Sequence, residues 1–349
     1  MIGATFEANI KYDLLDNLLK ETLNNVKYSN NVNVIIDLKS IYRKVFRTDI
    51  NNVIPDIVMG AEDVTSTIIN IIGHYRNYLF KMNKYSTFYI LYSINECEKL
   101  QNIYPDYKKY YYNKYLNNKE EYKQLDNIVK TANNSVKIVS KYIPNVFYID
   151  TSELDEFVYC NYIIRNISKT NDLNILLSSD PIMYQTLDNK TFAIDLKGQH
   201  SKVITENNVL SYLTETNAKI SGNLLNLMLS ICGNSEYNLQ KIDGIGFKKA
   251  YKIIKSLVDN NIVVDKMHMI LPKEIFKDNL LNENKELVET NFKTVFPINI
   301  QLENENTLVR AFAITKPVVT KQQFDELNTR IFVNYPINIV SLLRGEQIS

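Results

Sequence analysis

The feature that most constrains the fold is an alternation of short apolar runs with helical segments between residues 32 and 195. The runs Val32–Leu38 (VNVIIDL) and Thr87–Tyr92 (TFYILY) are rich in β-branched and aromatic residues, as buried strands are. The segments between such runs place apolar residues three or four positions apart, which is the period of an amphipathic helix. Strands that alternate with helices in this way predict a mostly parallel sheet with helices on both faces.

The same periods predict the remaining elements. Helical spacing of apolar residues covers Asn9–Lys27, Ile41–Phe46, Glu62–Met82 and Glu153–Ile167. Further strands are predicted over Val146–Ile149 and Leu173–Leu177. From Gly222 onward the pattern is helical. We therefore expect an α/β fold with a mostly parallel central sheet, followed by a helical region.

Composition excludes several classes of protein. Forty Lys and Arg against 39 Asp and Glu give a net charge of +1, unlike a generic basic nucleic-acid coat or an acidic solvating protein. Three cysteines without a CxxC spacing argue against a zinc site and a disulfide framework. The chain has no apolar run that could cross a membrane, and its first residues lack the layout of a signal peptide. The many Lys, Tyr, Asn and Ile residues follow the codon usage of an AT-rich genome, such as that of a phage. We expect a cytoplasmic protein, which for a phage means the host cytoplasm or the virion.

Acidic residues stand where the predicted strands end. Asp37 closes the first strand, Asp180 follows the run Leu173–Leu177, and Glu153, Asp155 and Glu156 open a predicted helix. The carboxyl ends of parallel strands share one edge of a sheet, where the ligand crevice lies. Carboxylates are the ligands that magnesium prefers, so a metal site is one interpretation. Stabilisation of a helix start, or simple loop capping, is the alternative for each acid.

A basic segment follows in Lys241–Leu257 (KIDGIGFKKAYKIIKSL). Its Gly-x-Gly turn leads into a helix whose first N–H groups could hold an anion. Three lysines share one helix face at i, i+4 and i+7, opposite an apolar face, as in a helix–hairpin–helix that binds DNA phosphates. The residues expected to bind DNA are Gly244, Gly246, Lys248, Lys249, Lys252 and Lys255. An ordinary helix with a solvated lysine face remains the alternative.

A third segment, Tyr104–Lys123, interleaves Tyr and Lys. Such a segment can hold single strands by charge and stacking. Codon bias toward Tyr and Lys in an exposed helix explains it equally well.

In this order the segments resemble the flap endonuclease or 5′-nuclease superfamily (PIN-like), in particular phage 5′→3′ exonucleases and the ribonuclease H of T-even phages. That family combines strand-end acids, a Tyr-Lys arch, the motifs E-A-D-D, S-x-D-x-D and G-D-x-x-D-N, and a G-x-G helix–hairpin–helix. The most similar stretches are Leu229–Ile254, Ile175–Leu187 and Tyr104–Lys109. The resemblance extends over roughly Val32–Leu257.

The resemblance implies a set of site residues. Those that match the family's metal ligands are Asp37, Glu153, Asp155, Glu156 and Asp180, with Glu236 as a substitute ligand one position from its motif. Lys108 matches the catalytic lysine of the arch. The positions at which this chain lacks a family acid are Ser93, Ile182, Asn234 and Tyr237. Because two-metal hydrolysis needs both ions, these losses favour one magnesium or manganese ion over two, and leave open that none binds.

The implied organisation has four parts. Residues 1–30 are expected to form an N-terminal helix, 31–220 a PIN-like nuclease domain with an arch at 100–125, 221–260 the helix–hairpin–helix region, and 261–349 an extension of unassigned role.

Three functions fit this organisation. The first is binding of duplex, nicked or flapped DNA with weak or absent hydrolysis, as in a pseudo-nuclease. The second is an active magnesium-dependent 5′→3′ exonuclease or flap endonuclease. The third is a virion or scaffold protein that reuses the fold to bind other proteins in a larger assembly. None of the three involves a membrane.

Overall fold

The structure, a computed structural model, describes nine stretches of the chain. They are residues 31–47, 57–92, 98–106, 119–195, 202–214, 224–234, 239–262, 271–295 and 305–312. The predicted helix Asn9–Lys27 and residues 107–118 of the expected arch lie outside them.

A six-stranded sheet forms the centre of the described part. Its strands are β1 (Asn31–Asp37), β2 (Tyr85–Tyr92), β3 (Val146–Asp150), β4 (Leu173–Leu177), β5 (Thr191–Asp195) and β6 (Lys202–Ile204). The order across the sheet is β3-β2-β1-β4-β5-β6. The first five strands pair in parallel, and β6 runs antiparallel to β5 at the edge. The predicted mostly parallel sheet is therefore confirmed.

The helices of the described ranges surround this sheet. They are α1 (Leu38–Arg47), α2 (Ile57–Lys81), α3 (Glu98–Ile103), α4 (Lys119–Tyr142), α5 (Glu156–Tyr162), α6 (Val209–Thr214), α7 (Leu225–Cys232), α8 (Phe247–Asp259), α9 (Asn279–Glu283), α10 (Lys285–Val295) and α11 (Glu305–Phe312). None of the helices described here combines the length and the hydropathy that a membrane span requires.

Alternation along the central strand explains why helices cover both faces. Val34 and Ile36 of β1 are buried in one apolar cluster together with Ile68 of α2. Ile35, whose side chain points the other way, is buried in a second cluster with Phe157 of α5. Each face of the sheet therefore has its own core, as the continuous apolar character of the strand predicts.

The strand order places the expected ligand crevice at the ends of β1 and β4. From β1 the chain proceeds to β2 and β3 on one side, and β4 then returns to the other side of β1. The strand order thus reverses between β1 and β4, and ligands of open α/β sheets bind at the carboxyl ends of such a pair.

Three predicted helix starts were wrong. The helix predicted from Glu62 begins at Ile57. The helix after β1 begins directly at Leu38 instead of Ile41. The helix predicted from Glu153 begins at Glu156, because Asp155 has φ +81° and ψ 151°, outside helical space, and serves as its N-cap. Glu153 and Asp155 therefore precede the helix and lie between it and β3.

Candidate functional site

The Asp37 carboxylate lies at the end of β1, beside the crevice. It is buried, and its Oδ2 accepts hydrogen bonds from the Ser40 hydroxyl (2.6 Å) and the Ser178 hydroxyl (2.7 Å). Its Oδ1 accepts a third bond from the Lys39 backbone N–H (3.1 Å). Three donors therefore hold this carboxylate in one orientation, and two of them are hydroxyls that the sequence did not single out.

The loop after β4 is tied to the same carboxylate. The Ser40 hydroxyl accepts a bond from the Ser179 backbone N–H (2.8 Å), and the Ser178 hydroxyl accepts one from the Asp180 N–H (3.1 Å). Asp180 is buried, and its Oδ1 accepts a bond from the Ile182 N–H (3.0 Å). Asp180 therefore lies at the predicted sheet edge, and it also serves as a local cap.

The acids between β3 and α5 differ from one another in environment. Glu153 is exposed, whereas Asp155 is fully buried and its Oδ1 accepts a bond from the Glu156 N–H (2.7 Å). The φ and ψ of Asp155 fall in a region that is almost restricted to glycine and costs on the order of 1–3 kcal/mol. Strain of this kind is concentrated at functional sites, which supports a special role for this turn.

An ion pair joins this turn to the helix after β1. The Lys39 Nζ lies 2.6 Å from the Glu156 Oε1, and the Glu156 side chain is only 4% exposed. Because the Lys39 backbone N–H also binds Asp37, one lysine contacts two of the predicted metal ligands. Asp37 thus contacts the backbone N–H of Lys39, and Glu156 contacts its ammonium group.

A further buried acid, Asp195, ends β5 and was missed by the sequence analysis. The Tyr212 hydroxyl donates a hydrogen bond to its Oδ2. Burial raises the pKa of Tyr184, and the charges of Asp195, Asp180 and Asp37 raise it further. The rule that identified Asp37, an acid that ends an apolar strand, would also have identified Asp195.

The acids at this edge have the carboxylate oxygens that magnesium prefers, so their arrangement decides whether they fit a metal centre. Within the described ranges no group of three or more His, Cys, Asp or Glu side chains could hold a metal ion. Ile182, at a position where the family has an acid, is buried among apolar side chains. The predicted ligand Glu236 and the predicted catalytic Lys108 lie outside the described residues, as do Ser93 and Tyr237.

The connection between α7 and α8 is held by a buried amide. Gly233 ends α7 with φ +63°, and a Cβ there would lie 2.3 Å from the Gln240 carbonyl oxygen. The Asn291 side-chain amide, from α10, donates to the carbonyl oxygens of Ser230 (3.2 Å) and Gln240 (3.1 Å). Backbone hydrogen bonds between Asn234 and Leu239 close the loop. This part of the predicted hairpin is therefore packed against residues beyond the resemblance.

Helix α8 has the two faces that its sequence predicts. Ala250, Ile254 and Leu257 are buried, whereas Lys248 and Lys252 are exposed. Before the helix, Gly244 has φ +76°, a backbone conformation that favours glycine. The exposed face is thus basic and follows a tight turn.

One lysine of that face is paired within the helix. The Lys255 Nζ lies 2.5 Å from the Asp259 Oδ2, and both side chains are exposed. The hydrogen bond that Lys255 donates to Asp259 raises the pKa of Lys255. Lys255 therefore offers less free charge to a ligand than its position on the face predicts.

Comparison with known proteins identifies the fold. The structure of a pseudo-enzyme variant of the bacteriophage T5 flap endonuclease, in complex with product DNA and metal ions, has a TM-score of 0.57 and 19% identity, covering 86% of this chain and 97% of that chain. The T5 5′-exonuclease with bound zinc has a TM-score of 0.56 and 19% identity, covering 86% and 98%. No protein-family model and no curated protein matches the sequence. The chain therefore shares the fold of these T5 nuclease structures.

Proposed function

We propose that this protein binds duplex, nicked or flapped DNA through α8 and the turn before it, and that its carboxylate centre hydrolyses DNA weakly or not at all. The observation that carries the proposal is the exposed basic face of α8 opposite a buried apolar face. In this proposal residues 221–260 serve as the helix–hairpin–helix region expected from the sequence.

The turn before α8 suits a phosphate group. The first N–H groups of an α-helix have no partner within the helix, and they give its start a partial positive charge. Lys248 and Lys249 lie in the first turn of α8, and Lys252 follows one turn later on the exposed side. Phosphate contacts of this type give affinity without base recognition, so we expect DNA binding that depends little on sequence.

The acids at the carboxyl ends of the strands support the second half of the proposal, which is weak or absent hydrolysis. Metal ions in such a site would stabilise the attacking and leaving oxygens of phosphodiester hydrolysis, which requires two ions about 4 Å apart. In this chain Asp37 already accepts three hydrogen bonds, and Glu156 is paired with Lys39. The remaining buried acids, Asp155 and Asp180, each accept a backbone N–H. These four acids therefore already bind groups of the protein itself.

The similar structures support the choice of ligand. One of the T5 flap endonuclease structures contains product DNA and metal ions, and the other contains zinc. In our proposal this chain also binds DNA, and the basic face of α8 provides the positive charge for it.

The salt dependence of DNA affinity tests the binding. Three lysines of α8 that each contact one phosphate would give a slope of log K against log salt of about −2.7, or a loss of about 40-fold between 50 and 200 mM salt. We expect Lys252→Ala to reduce the slope by about 1. Lys255→Ala is the matched variant on the same face, and we expect a smaller effect because Asp259 already pairs with Lys255. Fluorescence anisotropy with a nicked duplex measures both.

The outcomes separate the three functions. A slope near zero, unchanged in Lys252→Ala, would contradict DNA binding by α8 and favour a scaffold role. Labelled 5′-flap and nicked duplexes, incubated with magnesium or manganese, test hydrolysis. Efficient cleavage that disappears in Asp180→Ala would show an active nuclease and overturn the second half of the proposal.

A further inference from the structure

Lys39 occupies an unfavourable position for a cation. It is the second residue of α1, and the partial positive charge at a helix start disfavours lysine there. The Glu156 carboxylate compensates at 2.6 Å, and the Lys39 side chain is 27% exposed against 4% for Glu156. The interaction that holds Lys39 in this place is therefore the ion pair with Glu156.

Glu156 in turn needs a positive partner. An ionised carboxylate removed from water is strongly destabilising unless a cation or several donors compensate it. A divalent metal or a basic side chain can provide the positive charge, and here the partner at contact distance is the Lys39 ammonium group.

The neighbouring carboxylate is linked to the same residue. The Lys39 backbone N–H donates to Asp37 Oδ1, so Lys39 lies between a carboxylate at the end of β1 and one at the start of α5. The hydroxyls of Ser40 and Ser178 bind the other oxygen of Asp37. The positive charge and the donors around these two acids thus come from the protein itself.

We propose that the Lys39 ammonium group is a built-in cation that takes the place of a divalent metal ion at Glu156. The inference rests on the proposed function, because it explains how a nuclease-like set of acids stays folded and permits DNA binding without a metal. Removal of the ammonium group takes this cation away from the buried Glu156 carboxylate, which would then attract a divalent cation from solution.

Manganese binding to the full chain tests this exchange. Titration with Mn²⁺ alone, followed by the loss of the free-ion signal in electron paramagnetic resonance, is applied to wild type, Lys39→Ala and Lys39→Gln. We expect Lys39→Ala to bind Mn²⁺ at least about tenfold more tightly than wild type, as added net negative charge in a ligand set raises affinity. Thermal unfolding of Lys39→Ala should shift to lower temperature without Mn²⁺ and recover when Mn²⁺ is added.

Two control variants test whether the gain in Mn²⁺ affinity arises at Glu156. Lys285→Ala removes a lysine from an exposed pair with Glu289, so neither Mn²⁺ affinity nor unfolding temperature should change. Adding Glu156→Gln to Lys39→Ala should abolish the gained affinity. If Lys39→Ala does not fold, Lys39→Gln decides. Tight Mn²⁺ binding by wild type that Glu156→Gln removes would overturn the inference, and so would a Lys39 variant that gains no affinity.

DNA binding is measured on the same preparations to separate the two proposals. We expect wild type to bind a nicked duplex equally well in EDTA and in magnesium at matched ionic strength. Absence of DNA binding under both conditions would refute the proposed function, while the Mn²⁺ titration would still decide the role of Lys39. Binding that requires magnesium would refute the role of Lys39 alone.

Discussion

Replacing Ser40 by alanine tests how β1 and the loop after β4 are held together. The Ser40 hydroxyl donates to Asp37 and accepts from the Ser179 N–H, so one oxygen atom connects the two sides of the crevice. Alanine removes that oxygen and leaves the fold otherwise unchanged. The substitution therefore isolates the hydrogen bonds that position Asp37.

The expected loss follows from those two bonds. A hydrogen bond to a charged group contributes about 1.5–3 kcal/mol, and a buried N–H left without a partner costs about 1–3 kcal/mol. The better helix propensity of alanine returns about 0.5 kcal/mol. Because water can enter the space that the hydroxyl leaves, we expect Ser40→Ala to lower the free energy of unfolding by about 2–4 kcal/mol.

Equilibrium unfolding in guanidinium chloride, followed by circular dichroism, measures this loss as a change of midpoint at constant slope. Ser135→Ala is the matched control, because Ser135 also lies in a helix but is half-buried, and its hydroxyl donates to the Thr131 carbonyl oxygen of the same helix. We expect the control to stay within about 0.5 kcal/mol of wild type. A loss below about 1 kcal/mol for Ser40→Ala would refute the view that this hydroxyl holds the site together.

Three further predictions concern the packing of the hairpin and the buried thiols. Asn291→Ala removes the hydrogen bonds to the carbonyl oxygens of Ser230 and Gln240, so we expect the free energy of unfolding to fall by about 2 kcal/mol and DNA binding, measured by anisotropy, to weaken. Unchanged affinity would contradict a link between this packing and DNA binding. Gly233→Ala should lower the unfolding temperature more than Gly244→Ala does, because a Cβ at Gly233 meets a backbone oxygen whereas a Cβ at Gly244 meets open space. Equal shifts in unfolding temperature would argue against a close backbone contact at Gly233. Burial raises the pKa of Cys160 and Cys232 to about 12, so little thiolate exists at pH 8 and iodoacetamide should label these two thiols only after unfolding. Peptide mass spectrometry assigns the label to each cysteine, and rapid labelling of Cys160 or Cys232 in the native protein would count against their burial.

Much of the fold follows from local patterns. The strand Leu173–Leu177 was predicted with its observed ends, and the buried face of α8 contains the apolar residues that its spacing predicts. Such predictions succeed because the period of the side chains is a property of one segment. The start of α5 was predicted three residues too early, because the unusual backbone of Asp155 depends on its fully buried surroundings.

The site was less predictable than the sheet. Placement of Asp37 and Asp180 at strand ends followed from the sequence, since a parallel sheet brings such ends to one edge. The donors to Asp37 did not, because Ser178 is 141 positions away and pairs with it only once β4 lies beside β1. The short edge strand β6, with exposed Lys202, has no apolar run to mark it.

By itself, then, the sequence determined which segments form strands and helices, which faces are apolar, and where acids and lysines stand along the chain. It did so because each of these properties is encoded within a few neighbouring residues. Tertiary structure alone decided that Lys39 meets Glu156, since this contact requires the helix after β1 and the turn after β3 to converge on one edge. The sequence determines where an acid stands along the chain. The strand order determines which basic group lies close enough to compensate its charge.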